Sequence, residues 1–174
     1  VYSFVAMIVD GFYHLLVTLR TNYMPILVTL IKKKKIIDLK NLLRKTKKIL
    51  YSFSVIFSLF LILCFYILIQ FYLTDSGLED GMIVLIILLL FLNIISAYVP
   101  FDNLMLVSGY PELQTAQQFF IVITNIISNI ILTPKIGIIG AALSMGFGYI
   151  IGISILMFFT YKKIGWNLLF NTFK

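Results

Sequence analysis

Four side-chain amides stand in register along one apolar stretch: Gln114, Gln118, Asn125 and Asn129. Their spacing puts them at about 0°, 40°, 20° and 60° around a helix that turns 100° per residue. Gln117, Thr124 and Ser128 widen the stripe on one side. Aligned amides of this kind must face protein or water, because hydrocarbon satisfies none of their hydrogen bonds. Two readings follow. In a hydrated cavity the stripe would bind sugar hydroxyls. Inside a bundle it would join helices through hydrogen bonds worth about 0.6 kcal/mol each.

A second polar set lies near the start of the chain. Asp10 and His14 are four residues apart and can touch on one helix face, with Thr21 on the same side. Such a pair could relay protons. Arg20 sits about 80° round from Asp10. Its guanidinium could hold a phosphate or an acidic sugar, or simply reach the headgroups. Asp102, just past Pro100, reads as an interfacial carboxylate. The chain has one histidine and one cysteine, Cys64. Cys64 reads as a buried, small apolar thiol. No nucleophile–His–Asp set, metal spacing, P-loop or GxGxxG is present, so no catalytic residue, metal or cofactor is expected.

The elements that carry these residues follow from composition. The chain has 174 residues, 61% hydrophobic and only 12% charged, with 16 Phe and 10 Tyr. A soluble fold of this size could not hide that much apolar surface, and disordered chains are poor in aromatic residues. Beta-barrel spans alternate apolar and polar positions, whereas the apolar runs here are unbroken. The expected fold class is therefore all-α, a polytopic transmembrane helical bundle. Five spans are read, at about 1–31, 49–73, 82–107, 113–133 and 138–161. A helix needs about 20 residues to cross the hydrocarbon, so each is long enough. The first is longer than one crossing requires, and it is expected either to bend at Pro25 or to continue past the membrane.

Net charge is +7, and nine of the fourteen basic residues fall between Lys32 and Lys48. That clustering signals topology rather than nucleic acid, and no nucleic-acid partner is expected. The loop 32–48, the short Ser108–Glu112 connection and the tail with Lys162, Lys163 and Lys174 are expected on the cytoplasmic side. The acidic connection with Asp75, Glu79 and Asp80, and the Pro134–Gly137 turn with Lys135, are expected outside. The first span then begins extracytoplasmically and the C-terminus is cytoplasmic. Ile36, Leu39, Leu43 and Leu50 share one helical face, so the basic loop could itself be helical and rest on anionic membrane lipids. In the last span Gly140, Ser144, Gly148 and Gly152 recur every fourth residue after Gly137, a pattern that lets helices approach closely.

The segment NIISNIILTPKIGIIGAALS, Asn125 to Ser144, resembles the late signature of bacterial polysaccharide and O-antigen flippases, in the multidrug/oligosaccharidyl-lipid/polysaccharide exporter superfamily. The matching residues are Asn125, Asn129, Pro134, Gly137, Ile138, Gly140, Ala141 and Ala142. LMLVSGYPELQT resembles the family's short Gly-containing loop. YMPILVTLIKKKKIIDLKNLLRKTKKIL resembles a Pro-containing helix end followed by a basic loop. The family often has Gly-Asp after the Pro-containing helix and bases in the short loop, where this chain has lysines, Pro111 and Glu112. The resemblance implies twelve or more helices in two lobes, with this chain a C-terminal fragment forming the last five of twelve. It implies translocation of an undecaprenyl-diphosphate-linked oligosaccharide across the bacterial inner (plasma) membrane by alternating access. The implied partners are membrane lipids, that lipid-linked oligosaccharide and the N-terminal lobe of the same protein, with a polysaccharide polymerase a further partner the resemblance allows. Substrate-cavity candidates are Arg20, His14, Asp10, Gln114, Gln118, Asn125 and Asn129. The alternatives are a drug or other lipid exporter of the same superfamily, and a membrane polysaccharide polymerase. The enzyme usually carries a large external loop, and Thr74–Gly81 is too short for one.

Overall fold

The structure is a computed structural model and describes residues 2–72 and 79–173. Helix α1 covers Tyr2–Lys32, α2 Ile36–Tyr72 and α3 Glu79–Ser96. A single 3₁₀ turn, Val99–Phe101, and the short α4, Leu104–Val107, follow. Helix α5 covers Pro111–Ile164, and two short strands, β1 (Trp166–Asn167) and β2 (Thr172–Phe173), pair antiparallel at the end. The expected all-α class is what the chain adopts, with this small hairpin added. Among the described residues α1, α2 and α5 are long and apolar enough to cross a membrane. Helix α3 with its broken continuation makes a fourth.

Two expected elements come out differently. The basic segment is no loop: α1 and α2 are separated only by residues 33–35, and the lysines continue as the first turns of α2. The turn is tight because Lys34 adopts a left-handed conformation (φ 51°) and Lys35 N–H donates to Leu30 O at 3.0 Å. This closes a helix end as glycine usually does. A 37-residue helix is about 56 Å long, nearly twice the roughly 30 Å of hydrocarbon, so its basic third must project. Helix α1, by contrast, runs unbroken through Pro25.

The third span is not one helix. The segments Asp80–Ser96 and Val99–Val107 are bent by 54°. Pro100 has no backbone N–H to donate to the carbonyl of Ser96 four residues earlier, and its ring crowds that carbonyl, so α3 ends at Ser96.

The fourth and fifth spans, which together make up α5, are two helical limbs that meet at a kink and fold back on each other. Ile136 (φ −132°, ψ 18°) and Gly137 (φ 61°, ψ −137°) leave helical geometry. Gln117 Nε2 donates to Gly152 O across 35 residues at 3.1 Å. Gly140 lies against the backbone of Leu132 and Thr133. Such pairs meet only if the two limbs run antiparallel, so the Pro134–Gly137 segment makes the expected turn. The acidic connection falls partly in α3, which already includes Glu79 and Asp80; Asp75 lies outside the described residues.

Helix α3 is the central element. It is apolar all round from Met82 to Leu92, as a helix buried on several sides must be. Val84, Leu85, Leu88, Leu89 and Leu92 are fully or almost fully buried against α1, α2 and α5. Ser54 and Ser58 of α2 are buried and hydrogen-bond Asn93 of α3. A second core gathers at the basic end. It joins Leu27, Leu39, Leu43, Phe101, Leu156 and Trp166. The amphipathic face of the basic segment thus packs on protein, and most of its lysines are exposed, with Lys40 and Lys47 half-buried. The Ser108–Glu112 connection reaches the same end, with Lys163 Nζ 5.5 Å from the centre of the Tyr110 ring.

Cys64 is exposed, not buried. It lies on the outer face of α2 with Phe60, Leu63 and Ile67. An apolar thiol is as much at home against lipid as in a core, so hydropathy could not place it.

Candidate functional site

The break after α3 brings three distant residues together. Arg20 leaves the inner side of α1, Asp102 follows the 3₁₀ turn, and Gln117 sits in the second turn of α5. Arg20 Nη1 donates to Asp102 Oδ2 at 3.0 Å. Gln117 Nε2 donates to Asp102 Oδ1 at 2.8 Å and to Gly152 O of the return limb. The carboxylate is therefore held on both oxygens, by a cation and by an amide. Charge-assisted bonds of this kind are roughly twice as strong as neutral ones. Arg20 and Asp102 remain 23% and 19% exposed, whereas Gln117 is wholly buried.

The bend is what permits this arrangement. A continuous helix through residue 102 would bond every backbone group to itself and carry the carboxylate onward along its axis. Ending α3 at Ser96 lets the chain turn under α1 and deliver Asp102 to Arg20. Non-helical backbone at membrane depth is tolerated only where protein or a water-filled cavity surrounds it. Here a cavity of about 110 Å³ adjoins the site. Tyr13, Tyr98, Asp102, Gln118 and Tyr149 supply its polar lining. The rings of Tyr13 and Tyr149 stack with centroids 5.7 Å apart.

The residues singled out in the sequence distribute unevenly. Arg20 and Gln118 reach this cluster. Gln114 lies a turn before Gln118, and both its side-chain polar atoms are buried without a hydrogen-bond partner, as is Gln117 Oε1. Asn125 is half-buried where the two limbs of α5 meet, its Cβ beside Gly148. Asn129 is exposed and accepts a hydrogen bond from Thr133. Asp10 is half-buried and His14 exposed on α1; neither is brought to the Arg20–Asp102 pair. Arg20 does not present a free charge, because Asp102 already neutralises it.

Asp102, Gln117, Tyr13 and Tyr149 were not among the candidates. Asp102 read as interfacial, yet it is the hub of the cluster. Its signal was the proline two residues before it: an acid beside a helix breaker inside an apolar run marks a discontinuous helix. Gln117 stands at the edge of the amide stripe, where spacing alone gives it no special weight.

Of the small residues, Gly140, Ser144, Gly148 and Gly152 are all buried along the return limb. Ser144 Oγ turns back to Gly140 O at 2.8 Å. Gly137 stands in open space and serves the turn. Among the described residues no three His, Cys, Asp or Glu side chains gather where a metal could bind.

Fold and site together define a class: an all-helical protein whose long apolar helices suit a multi-pass membrane protein, with an ion pair and amide set at a broken helix. No protein-family model, curated protein or solved structure matches this chain.

Proposed function

We propose that this chain forms the C-terminal five crossings of a bacterial flippase that moves a lipid-linked oligosaccharide across the plasma membrane by alternating access. The observation that carries the reading is the Arg20–Asp102–Gln117 cluster at the interrupted α3–α4 span. Intramembrane charges are costly and mark substrate or ion paths, and transporters build such sites from discontinuous helices. Counting the limbs of α5 separately gives five crossings. The polar face of α1 with His14 and Thr18, and the face of α5 with Gln118 and Asn129, are exposed in this chain. Against lipid they would leave unpaired groups, so they belong against a further lobe or an aqueous cavity. The anionic diphosphate linkage of the substrate competes with Asp102 for Arg20, since guanidinium pairs as well with phosphate as with carboxylate. Substrate arrival then exchanges one partner for another, and its departure restores the pair.

Complementation tests the assignment. In a strain lacking its O-antigen flippase, the 174 residues alone are expected to restore no surface polysaccharide, because one part-lobe cannot rock against itself. The same residues, expressed together with whatever reading frame precedes Val1 in the gene, are expected to restore it. Full complementation by the 174 residues, or none by the longer form, would refute the reading.

Orientation is tested separately. In a Cys64→Ser background, Lys45→Cys is expected to react with an impermeant thiol reagent only after permeabilisation. Lys135→Cys is expected to react in intact cells. The positive-inside rule places the basic end of α2 in the cytoplasm; labelling in the opposite order removes that placement and the direction of transport with it.

A further inference from the structure

We propose that the chain carries a separate binding site for one anionic glycerophospholipid, at the basic end of α2 and on the outer side of the α2–α3 pair. Arg20 does not line it, and it does not depend on the flippase reading.

The observations are a cationic pocket and an apolar groove that share two walls. The pocket has a volume of about 640 Å³ and lies between α2, the end of α3 and the C-terminal hairpin. Arg44, Lys47 and Lys48 line it, and no carboxylate does. Lys47 is already engaged. Its Nζ donates to Leu168 O at 2.7 Å and stands 4.5 Å from the centre of the Tyr98 ring, which ties the hairpin down. Arg44 and Lys48 are one turn apart on the same face, both exposed. Among the described residues the ion pairs are Arg20–Asp102 and Lys35–Asp38, and neither involves them. Two cations on one face, with no acid between them, repel each other and call for an anion.

The groove gives that anion its chemical class. It has a volume of about 280 Å³ and continues from the pocket along α2 and α3, with Tyr51 and Ile94 lining both. Val55, Leu59, Ile62 and Leu90 make most of it apolar, and its polar members Ser58 and Asn93 hydrogen-bond each other. From Tyr51 to Ile62 it follows α2 for about 16 Å at 1.5 Å per residue. That is close to half the roughly 30 Å hydrocarbon thickness, the depth of one leaflet. A phosphodiester between Arg44 and Lys48, with one acyl chain laid in the groove, fills both spaces. Basic pockets beside membrane helices hold anionic headgroups in this way. Absence of a carboxylate sets the selectivity, since no anionic side chain in the pocket would pair with the ammonium of a zwitterionic lipid.

The test uses the purified 174-residue chain in a neutral maltoside detergent, with lipid binding read by native mass spectrometry and thermal unfolding. Dioleoyl-phosphatidylglycerol is expected to bind and raise the unfolding temperature. Dioleoyl-phosphatidylcholine is expected to bind at least tenfold more weakly, and glycerol phosphate at the same concentration to have no effect. The double variant Arg44→Gln/Lys48→Gln should lose phosphatidylglycerol binding about tenfold. Lys33→Gln/Lys45→Gln removes the same charge elsewhere and should keep it. Leu90→Trp, which fills the groove, should weaken the lipid while leaving the cations in place. If the Arg44/Lys48 variant fails to fold, the groove variant and the salt dependence of binding to the unaltered chain decide instead. Equal binding of both lipids, equal loss in both charge variants, or indifference to Leu90→Trp together with salt would overturn the proposal. Glycerol phosphate binding as tightly as the lipid would reassign the pocket to a free phosphate and overturn it likewise.

Discussion

Asp102→Leu is expected to destabilise the folded chain more than any other change of a single polar side chain. It removes the acceptor of both Arg20 and Gln117 and leaves a guanidinium facing an apolar bundle. Breaking a buried pair from one side costs about 3–5 kcal/mol, chiefly through the charge left behind. The pair is about a fifth exposed, so the loss should fall near 3 kcal/mol, at the low end of that range. Arg20→Leu/Asp102→Leu should recover most of it, because replacing both ions by apolar groups is often neutral or better. The four proteins make a double-mutant cycle, read by unfolding in detergent. Additive losses would mean that the ion pair does not couple α1 to the broken span. The cycle also separates structure from transport. A pair kept for stability alone leaves polysaccharide export intact in the stable double variant of the full-length protein. A pair that exchanges partners with the substrate leaves that variant folded and inactive.

Why this cluster escaped the sequence is a matter of range. Helical arithmetic is local: of the face Ile36, Leu39, Leu43 and Leu50, the three leucines are 3%, 0% and 5% exposed, while Ile36 at the start of α2 is 43% exposed. The tight turn at Pro134–Gly137 was readable for the same reason, since proline and glycine act on their own backbone. Arg20 and Asp102, in contrast, are 82 residues apart. Spacing tells which residues share a face but not which other element that face meets. Gln117 and Gln114 differ by under a turn, yet only Gln117 reaches both Asp102 and the opposite limb. Hydropathy likewise separates apolar from polar and fails to separate core from lipid face, which is why Cys64 could not be placed. The flippase resemblance is most specific in the Asn125–Ser144 segment, and that segment folds into the hairpin of α5; what the hairpin serves is the proposal, to be decided by complementation.

The hairpin itself supplies the other large effect. Gly140→Ala is expected to unfold or seriously weaken the chain, although alanine is the better helix former by about 1 kcal/mol. A Cβ at this position would lie 2.5 Å from Leu132 O, 2.6 Å from Leu132 C and 2.8 Å from Thr133 N. All three are backbone atoms of the preceding limb, so no side chain can swing aside, and the limbs must part. Overpacking costs 1–3 kcal/mol where neighbours can adjust, and occasionally more; a backbone obstacle belongs at the upper end. Parting the limbs also strains the Gln117–Gly152 bond, and with it the amide that steadies Asp102. Gly148→Ala supplies the control. Its Cβ would meet Ile121 and Asn125 no closer than 3.7 Å, an ordinary contact. That variant should keep or slightly raise the unfolding temperature, because it gains helix propensity without a clash. Membrane helices lack the hydrophobic drive that presses soluble helices together, so the approach that small residues allow is what holds them. Measured side by side in one detergent, a large drop for Gly140→Ala with none for Gly148→Ala locates the close approach at the turn. Equal behaviour of the two alanines would mean that the limbs do not meet at Gly140, and the antiparallel hairpin would have to be redrawn.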